Sequence, residues 1–253
     1  MKFLSLILFA ILGILPLKTG GTDKFSKSEE QVYICHYKWG IVDADVAKAH
    51  FKIKASGNGY DTHLYGHTDK IFDKLFKVRE NFRSHFDAAT LRSETFSRDA
   101  EEGKYRCSND FTFLWDKGYI DARVWSIKKG DRKYTFKLEP GMTDVSTLLP
   151  LFRCIDMEKV TPGEPMTVKI AMDTDISDLI FKYIGEEEKD IKGLGVTKVR
   201  KFSLSITSGN VFDTRNPVLI YATLKDNVPV AFEVPLRVGR VEGHIESSTK
   251  VLK

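Results

Sequence analysis

Cysteine is scarce in this chain, and its scarcity excludes a fold held together by a network of disulfides. Only Cys35, Cys107 and Cys154 occur among 253 residues, far below the density of small disulfide-rich scaffolds. The odd number leaves open one bridge with one free thiol. Burial of all three as small hydrophobic residues is favoured, because free cysteine is among the most buried residue types.

Long hydrophobic runs are also rare, and the one that exists lies at the N-terminus. Residues 3–17 read FLSLILFAILGILPL, follow Lys2 and precede a stretch of small residues that ends at Gly21. A membrane-spanning helix needs about 20 predominantly apolar residues, whereas this run is shorter and contains Pro16. These features are typical of a signal peptide. We therefore expect residues 1–21 to be cleaved near Gly21, which leaves a periplasmic or secreted protein.

The rest of the chain has the composition of one domain without a membrane anchor. A lipid anchor would need a cysteine at the cleavage site, and Cys35 lies well beyond it. No other apolar run is long enough for a membrane span, so no integral membrane span is expected in the mature chain. Residues 22–30 are predicted to form a polar leader and residues 31–253 a single β-rich domain. The turn-forming residues 161–165, TPGEP, are a candidate hinge between possible halves 31–160 and 165–253.

Charge bias and enzyme motifs are absent as well. The formal net charge is only +4 without a basic block, so nucleic acid is not an expected partner. The sequence contains neither G-x-S-x-G nor a glycine-rich phosphate loop, the signatures of common hydrolases and nucleotide-binding proteins. His63 and His67 would lie about 13 Å apart on a strand, too far to share a metal ion. We therefore predict no catalytic residue, metal or cofactor.

Alternation of apolar and polar residues is what the sequence offers instead. In residues 47–55, Ala or a larger apolar residue alternates with Lys or His, which predicts a half-buried strand with one basic face. That basic face (Lys48, Lys52 and Lys54) could approach an anionic envelope surface, or could discourage pairing at a sheet edge. Residues 78–86 alternate in the same way, with Val78, Glu80, Phe82, Ser84 and Phe86 on one face.

Strand-like segments recur along the whole chain. Residues 31–42 are predicted to form the first strand, with a turn at 43–45, and GNG at 57–59 to turn the next strand into a hairpin, in which His50 could face His63. Further strands are predicted at 94–98, 104–115, 119–128, 133–138, 166–172, 199–206, 217–224, 228–234 and 236–246. Short helices are predicted at 68–76 and 145–152, whereas 178–187 fits either a strand or a helix. The pattern predicts a mainly β fold with an antiparallel, strongly curved sheet or half-barrel.

Five aromatic residues are candidates for lining a ligand site: Tyr33, Tyr37, Trp39, Trp115 and Trp125. Aromatic side chains on a curved sheet could hold an acyl chain or stack on sugar rings. The alternative is that they fill the core, which aromatic burial commonly dominates.

Several segments resemble a family of exported bacterial proteins of unknown function (DUF3108). These are YKWGIVDADVAKAHFKI, IFDKLFKVRENFRSHFDAATLRSETFSRDAEEGKY, TDVSTLLPLFRCIDMEKVTPGEP and TLKDNVPVAFEVPLRVGRVEGHI. The resemblance implies a mostly antiparallel curved sheet or half-barrel, like the periplasmic lipoprotein carriers. It also implies that 178–192 is β. The family has no established catalytic residues to carry over, and 43–45 departs from its usual pair of small residues.

These observations favour a non-enzymatic protein that binds or carries an apolar or amphiphilic envelope molecule, with a lipid or glycan as its partner. One alternative is a hydrolase that acts on envelope glycan or lipid through paired carboxylates. Another is a structural or assembly protein that binds a further envelope component. The lining of the largest cavity would distinguish carriage from catalysis.

Overall fold

A computed structural model of the protein describes residues 25–206 and 216–250, apart from the side chains of Leu75 and Ile206. The predicted signal peptide and its cleavage site lie outside these residues. Within them, 14 strands form one antiparallel sheet. This confirms the mainly β prediction.

The strands follow one another with few interruptions. They are β1 (Ser28–Trp39), β2 (Val42–Ser56), β3 (Gly59–Thr68), β4 (Val78–Asp87), β5 (Ser93–Glu102), β6 (Tyr105–Leu114), β7 (Tyr119–Ser126), β8 (Gly130–Lys137), β9 (Pro165–Met172), β10 (Asp175–Ile191), β11 (Gly195–Ile206), β12 (Val218–Thr223), β13 (Pro229–Pro235) and β14 (Arg240–Ser248). Two short helices, α1 (Lys70–Phe76) and α2 (Leu148–Arg153), interrupt this series. No helix of the described residues is long and apolar enough to cross a membrane.

The sheet is a continuous meander whose two ends remain apart. The strand order is β8-β7-β6-β5-β4-β3-β2-β1-β14-β13-β12-β11-β10-β9, so the first and last strands pair in its middle, and β8 and β9 form its edges. The segment between β8 and β9 covers part of the edge of β9. There the Thr143 amide donates a hydrogen bond to the Lys169 carbonyl, and the Ala171 amide donates one to the Thr143 carbonyl. The possible halves therefore share one sheet.

The alternating segments form strands as predicted. On β2, Phe51 and Ile53 are buried whereas Lys52 and Lys54 are exposed. On β4, all five residues that the alternation places on one face are buried, including Glu80 and Ser84. Side chains on a strand point alternately to opposite faces, so this alternation places one face of each strand in the core.

The predicted first turn at 43–45 is wrong. The chain turns at Gly40 and Ile41, because Gly40 adopts a positive φ of 56° that a tight hairpin turn requires. Asp43 and Asp45 instead lie within β2, opposite Lys38 and His36 of β1. The GNG turn, both short helices and the β interpretation of 178–192 are confirmed.

The start of the domain lies within the predicted polar leader. β1 begins at Ser28, Phe25 packs in the core and Glu29 is buried. The Glu29 carboxylate accepts a hydrogen bond from Arg153 of α2 at 2.6 Å. These contacts make part of the segment 22–30 an ordered component of the fold.

The concave side of the sheet is filled by the connection between β8 and β9. Residues 142–155 of this connection are all buried, and we call them the plug. At its start, Asp144 accepts hydrogen bonds from the hydroxyls of Ser84, Ser93 and Thr147. Pro150 lies in the first turn of α2, where a helix needs no amide donor. The bonds from Ser84 and Ser93 thus hold the start of the plug against β4 and β5.

Candidate ligand-binding recess

A large recess lies on the outer face of the sheet, opposite the plug. It has a volume of about 650 Å³ and spans β2 to β6. We call it the outer recess and define it by Lys52, Lys54, His63, Arg83, His85 and Asp110. Its wall is therefore built from the polar faces of five adjacent strands.

Strand register brings these side chains together. Lys52 lies opposite His63, and His63 lies opposite Arg83. The same row continues through Ser97 to Asp110. Directly opposed residues of antiparallel strands point to the same face, so five strands contribute one polar row.

The outer recess combines permanent cations with carboxylates. Lys52 pairs with Glu30 at 3.1 Å and Arg83 with Asp99 at 4.0 Å. Such exposed pairs are weak, so an anionic ligand can replace the partner. Among the described residues, Lys54 makes no ion pair, which leaves its ammonium group available.

Imidazole and phenol rings continue this outer face beside the recess. His50 stacks on His67 with ring centroids 5.5 Å apart, and Tyr65 stacks on His67 at 5.2 Å. Burial and the nearby His67 lower the pKa of His50, which favours its neutral form. The expected pairing of His50 with His63 is wrong, because the register places His50 opposite Tyr65 and His63 opposite Lys52. No cluster of metal-ligating side chains occurs in the described part of the chain.

A second recess of about 370 Å³ lies over β1, β13 and β14. His36 contacts Asp45 at 2.7 Å through Nδ1 and also contacts Asp43 through Nε2. Burial opposes protonation of His36, but the hydrogen bonds to Asp45 and Asp43 outweigh it and raise the pKa of His36. Lys192 pairs with Asp45 at 3.5 Å, so the charges in this recess are largely satisfied by one another.

A buried charge network lies on the inner face. Arg98 is bonded to Glu80 at 2.9 Å and to Asp173 at 2.7 Å. Asn109 accepts a hydrogen bond from the Asp173 amide at 2.7 Å. This network joins β4, β5 and β6 to the turn between β9 and β10. The signal for it in the sequence was Glu80 on the face that Val78, Phe82 and Phe86 place in the core, because a buried carboxyl group needs a cationic or hydrogen-bonding partner.

The five aromatic candidates do not converge on one site. Tyr33 is buried and donates to the Pro229 carbonyl at 3.0 Å, and Trp115 donates to the Ser93 carbonyl at 2.7 Å. Tyr37 donates to the Val238 carbonyl at 3.1 Å. Trp39 and Trp125 are exposed. None of the five lines the outer recess.

Sequence reasoning identified Lys52 and Lys54 as a basic face but missed the residues from β4 to β6. Arg83, His85 and Asp110 carry no recognisable motif. The alternation pattern indicated which face they occupy, but their convergence depends on the order of the strands.

Comparison with known proteins addresses the fold and the family. A β-barrel-like protein of a domain of unknown function (DUF1849) from Brucella abortus has a similar fold, with a TM-score of 0.57 and 10% sequence identity. The similarity covers 87% of this chain and 96% of that chain. No curated protein sequence matches the chain. Residues 33–246 match the family described as "Protein of unknown function (DUF3108)", and the chain belongs to that family.

Proposed function

We propose that the protein is an exported, non-enzymatic binding protein that takes the anionic, hydroxyl-rich part of a cell-envelope molecule in the outer recess. The observation that carries this proposal is the chemistry of the recess wall. Lys54 and Arg83 provide cations, Asp110 accepts hydrogen bonds, and Thr95 and Ser97 can do either. Cations, an acceptor and hydroxyl groups together suit an acidic glycan or a phosphorylated head group, which carries both negative charge and hydroxyl groups.

We propose a polar ligand because the concave side of the sheet is already filled. The plug occupies the space in which a half-barrel would hold an acyl chain, and its residues 142–155 are buried. The apolar part of an amphiphile would therefore remain outside the described fold, with only its head group in the outer recess.

Hydrolysis by paired carboxylates has little support in the outer recess. Asp61 and Asp110 line it from β3 and β6. Three strand spacings separate their backbones by roughly 14 Å, whereas the carboxylates of a glycosidase lie about 5 to 10 Å apart. Binding without bond cleavage fits this separation better.

Calorimetric titration tests the proposal with three probes: an oligogalacturonate, a hexose phosphate and neutral maltotriose. We expect binding of at least one anionic probe and none of maltotriose. Replacing Lys54 by Gln should weaken binding about fivefold, because it removes one charge interaction of about 1 kcal/mol.

Lys137→Gln is the matched control, since Lys137 is exposed on β8 outside the outer recess. It should leave the affinity unchanged. Equal affinity for maltotriose and the anionic probes would contradict the proposal, and so would equal effects of the two lysine variants. Binding of only one anionic probe would identify whether carboxylate or phosphate is preferred.

A further inference from the structure

Exposed apolar side chains gather at one end of the sheet. Because consecutive antiparallel strands reverse direction, the connections β1–β2, β3–β4, β5–β6, β7–β8 and β13–β14 all lie at this end. We call the exposed residues there the apolar rim: Trp39, Ile41, Ile71, Trp125, Ile127 and Val238. Single exposed apolar residues are normal on a protein, but their concentration in one region indicates an interaction surface.

The opposite end differs in character. Its connections include Ser56-Gly57-Asn58-Gly59 between β2 and β3 and Asp116-Lys117-Gly118 between β6 and β7. These are polar turns. Of the large apolar side chains exposed in the described residues, Val196 lies at this opposite end, whereas six form the apolar rim.

Two of the hairpin tips in the rim are held together. Tyr37 donates its hydroxyl to the Val238 carbonyl at 3.1 Å. Gly239 has a φ of +72°, and a Cβ at this position would lie 2.4 Å from the Lys38 carbonyl oxygen. The β1–β2 tip, which carries Trp39, 57% exposed, and Ile41, 101% exposed, therefore adjoins the tip that carries Val238.

Basic residues flank the apolar tips. Arg237 precedes Val238, Lys70 and Lys74 accompany Ile71 on α1, and Lys128 and Lys129 follow Ile127. Among the described residues, these five cations make no ion pair. Two acids at this end are already engaged, since Asp73 pairs with Arg79 and Glu101 with Arg106.

Exposed apolar residues flanked by cations favour a lipid surface over a protein as the partner. Protein–protein interfaces are depleted in lysine, whereas lysine and arginine around exposed apolar and tryptophan side chains favour an anionic membrane surface. Tryptophan is enriched at the boundary between head groups and acyl chains. We propose that the apolar rim docks the protein on an anionic lipid bilayer, with Ile41, Ile71 and Ile127 inserted between the head groups.

Co-sedimentation with vesicles tests this proposal. The protein, as purified after export, is mixed with vesicles of phosphatidylcholine alone or of phosphatidylcholine with phosphatidylglycerol. We expect binding to the second type and a decrease with added salt. The double variant Ile41→Ser, Ile127→Ser should bind at least about tenfold more weakly, because it removes two inserted apolar side chains.

Val196→Ser is the matched control, since Val196 is 71% exposed near the start of β11, at the opposite end. It should bind like the wild type. Tryptophan fluorescence provides a second readout, which should shift to shorter wavelength on binding and lose most of that shift in the double variant Trp39→Phe, Trp125→Phe.

Three results would overturn the proposal. The first is the absence of binding to either vesicle type. The second is unchanged binding by the double variant, which would make the attraction purely electrostatic. The third is a dimer in solution that the double variant dissociates, because the rim would then be an interface between two copies of the chain.

Discussion

Arg98 on β5 donates two hydrogen bonds to Glu80 on β4, from Nη2 to Oε1 at 2.9 Å and from Nε to Oε2 at 3.1 Å. Both side chains are fully buried, with 0% exposure. The same guanidinium reaches Asp173 in the turn between β9 and β10 at 2.7 Å. Since β8 and β9 do not pair with each other, this network is one of the contacts that hold the curved sheet together.

Loss of Arg98 should strongly destabilise the fold. Arg98→Met would leave the Asp173 carboxylate and the buried Glu80 carboxyl group without their cationic hydrogen-bond donor, which typically costs about 3 to 5 kcal/mol. Urea denaturation followed by circular dichroism measures the change in the free energy of unfolding. Arg237→Gln, at an exposed position, should change it by less than about 0.5 kcal/mol. A loss of only about 1 kcal/mol in Arg98→Met would contradict the role given to this network.

Stability should also depend on the protonation of Glu80. Burial raises the pKa of Glu80 from 4.5 to about 7, against the pull of Arg98 and with a further contribution from Glu102. The folded chain therefore holds more protons than the unfolded chain between these pH values. The stabilising contribution is complete below pH 4.5 and is lost as the pH rises through about 7, an effect on the order of 3 kcal/mol.

Urea denaturation at a series of pH values measures how the free energy of unfolding changes with pH. Glu80→Gln should remove most of the decline in unfolding free energy between pH 4.5 and 7, because the titrating group is absent. Glu164→Gln, in the exposed loop before β9, should retain it. If Glu80→Gln and the wild type show the same slope, the decline has another origin.

Two glycines, Gly239 at the apolar rim and Gly118 at the opposite end of the sheet, separate the cost of backbone strain from that of steric clash. Gly118 and Gly239 have similar φ values of +75° and +72°, but a Cβ would have open space at Gly118 and would meet the Lys38 carbonyl oxygen at 2.4 Å at Gly239. Gly118→Ala should cost about 1 kcal/mol. Gly239→Ala should cost about 2 to 4 kcal/mol, because overpacking adds to the strain. Equal losses in thermal or urea denaturation would show that the two hairpin tips can separate without cost.

The alternation of apolar and polar residues was sufficient to predict a strand wherever one face of that strand meets the core. Phe51 and Lys52 on β2 illustrate this, because alternation along a strand depends only on neighbouring positions in sequence. Gly40 shows where this reasoning failed. The segment 43–45 has good turn residues, but the positive φ of Gly40 allows the hairpin to turn earlier.

The plug shows a second limit. Residues 143–147, TDVST, stand at the start of the helix predicted at 145–152 and have the polar composition of an exposed helix start. In the fold they are buried because Ser84 and Ser93 satisfy the Asp144 carboxylate. A polar segment can be buried when partners distant in sequence complete its hydrogen bonds.

By itself the sequence determined the mainly β class, most strand positions, the basic face of β2 and the family resemblance, since these follow from short-range periodicity and from motif order. Only the tertiary structure decided that Lys54 and Asp110 share a recess, that the plug fills the concave side, and that Ile41, Ile71 and Ile127 lie at one end. Each of these facts depends on which strands pair and in what register. Those pairings join residues far apart in the chain, and no local pattern specifies them.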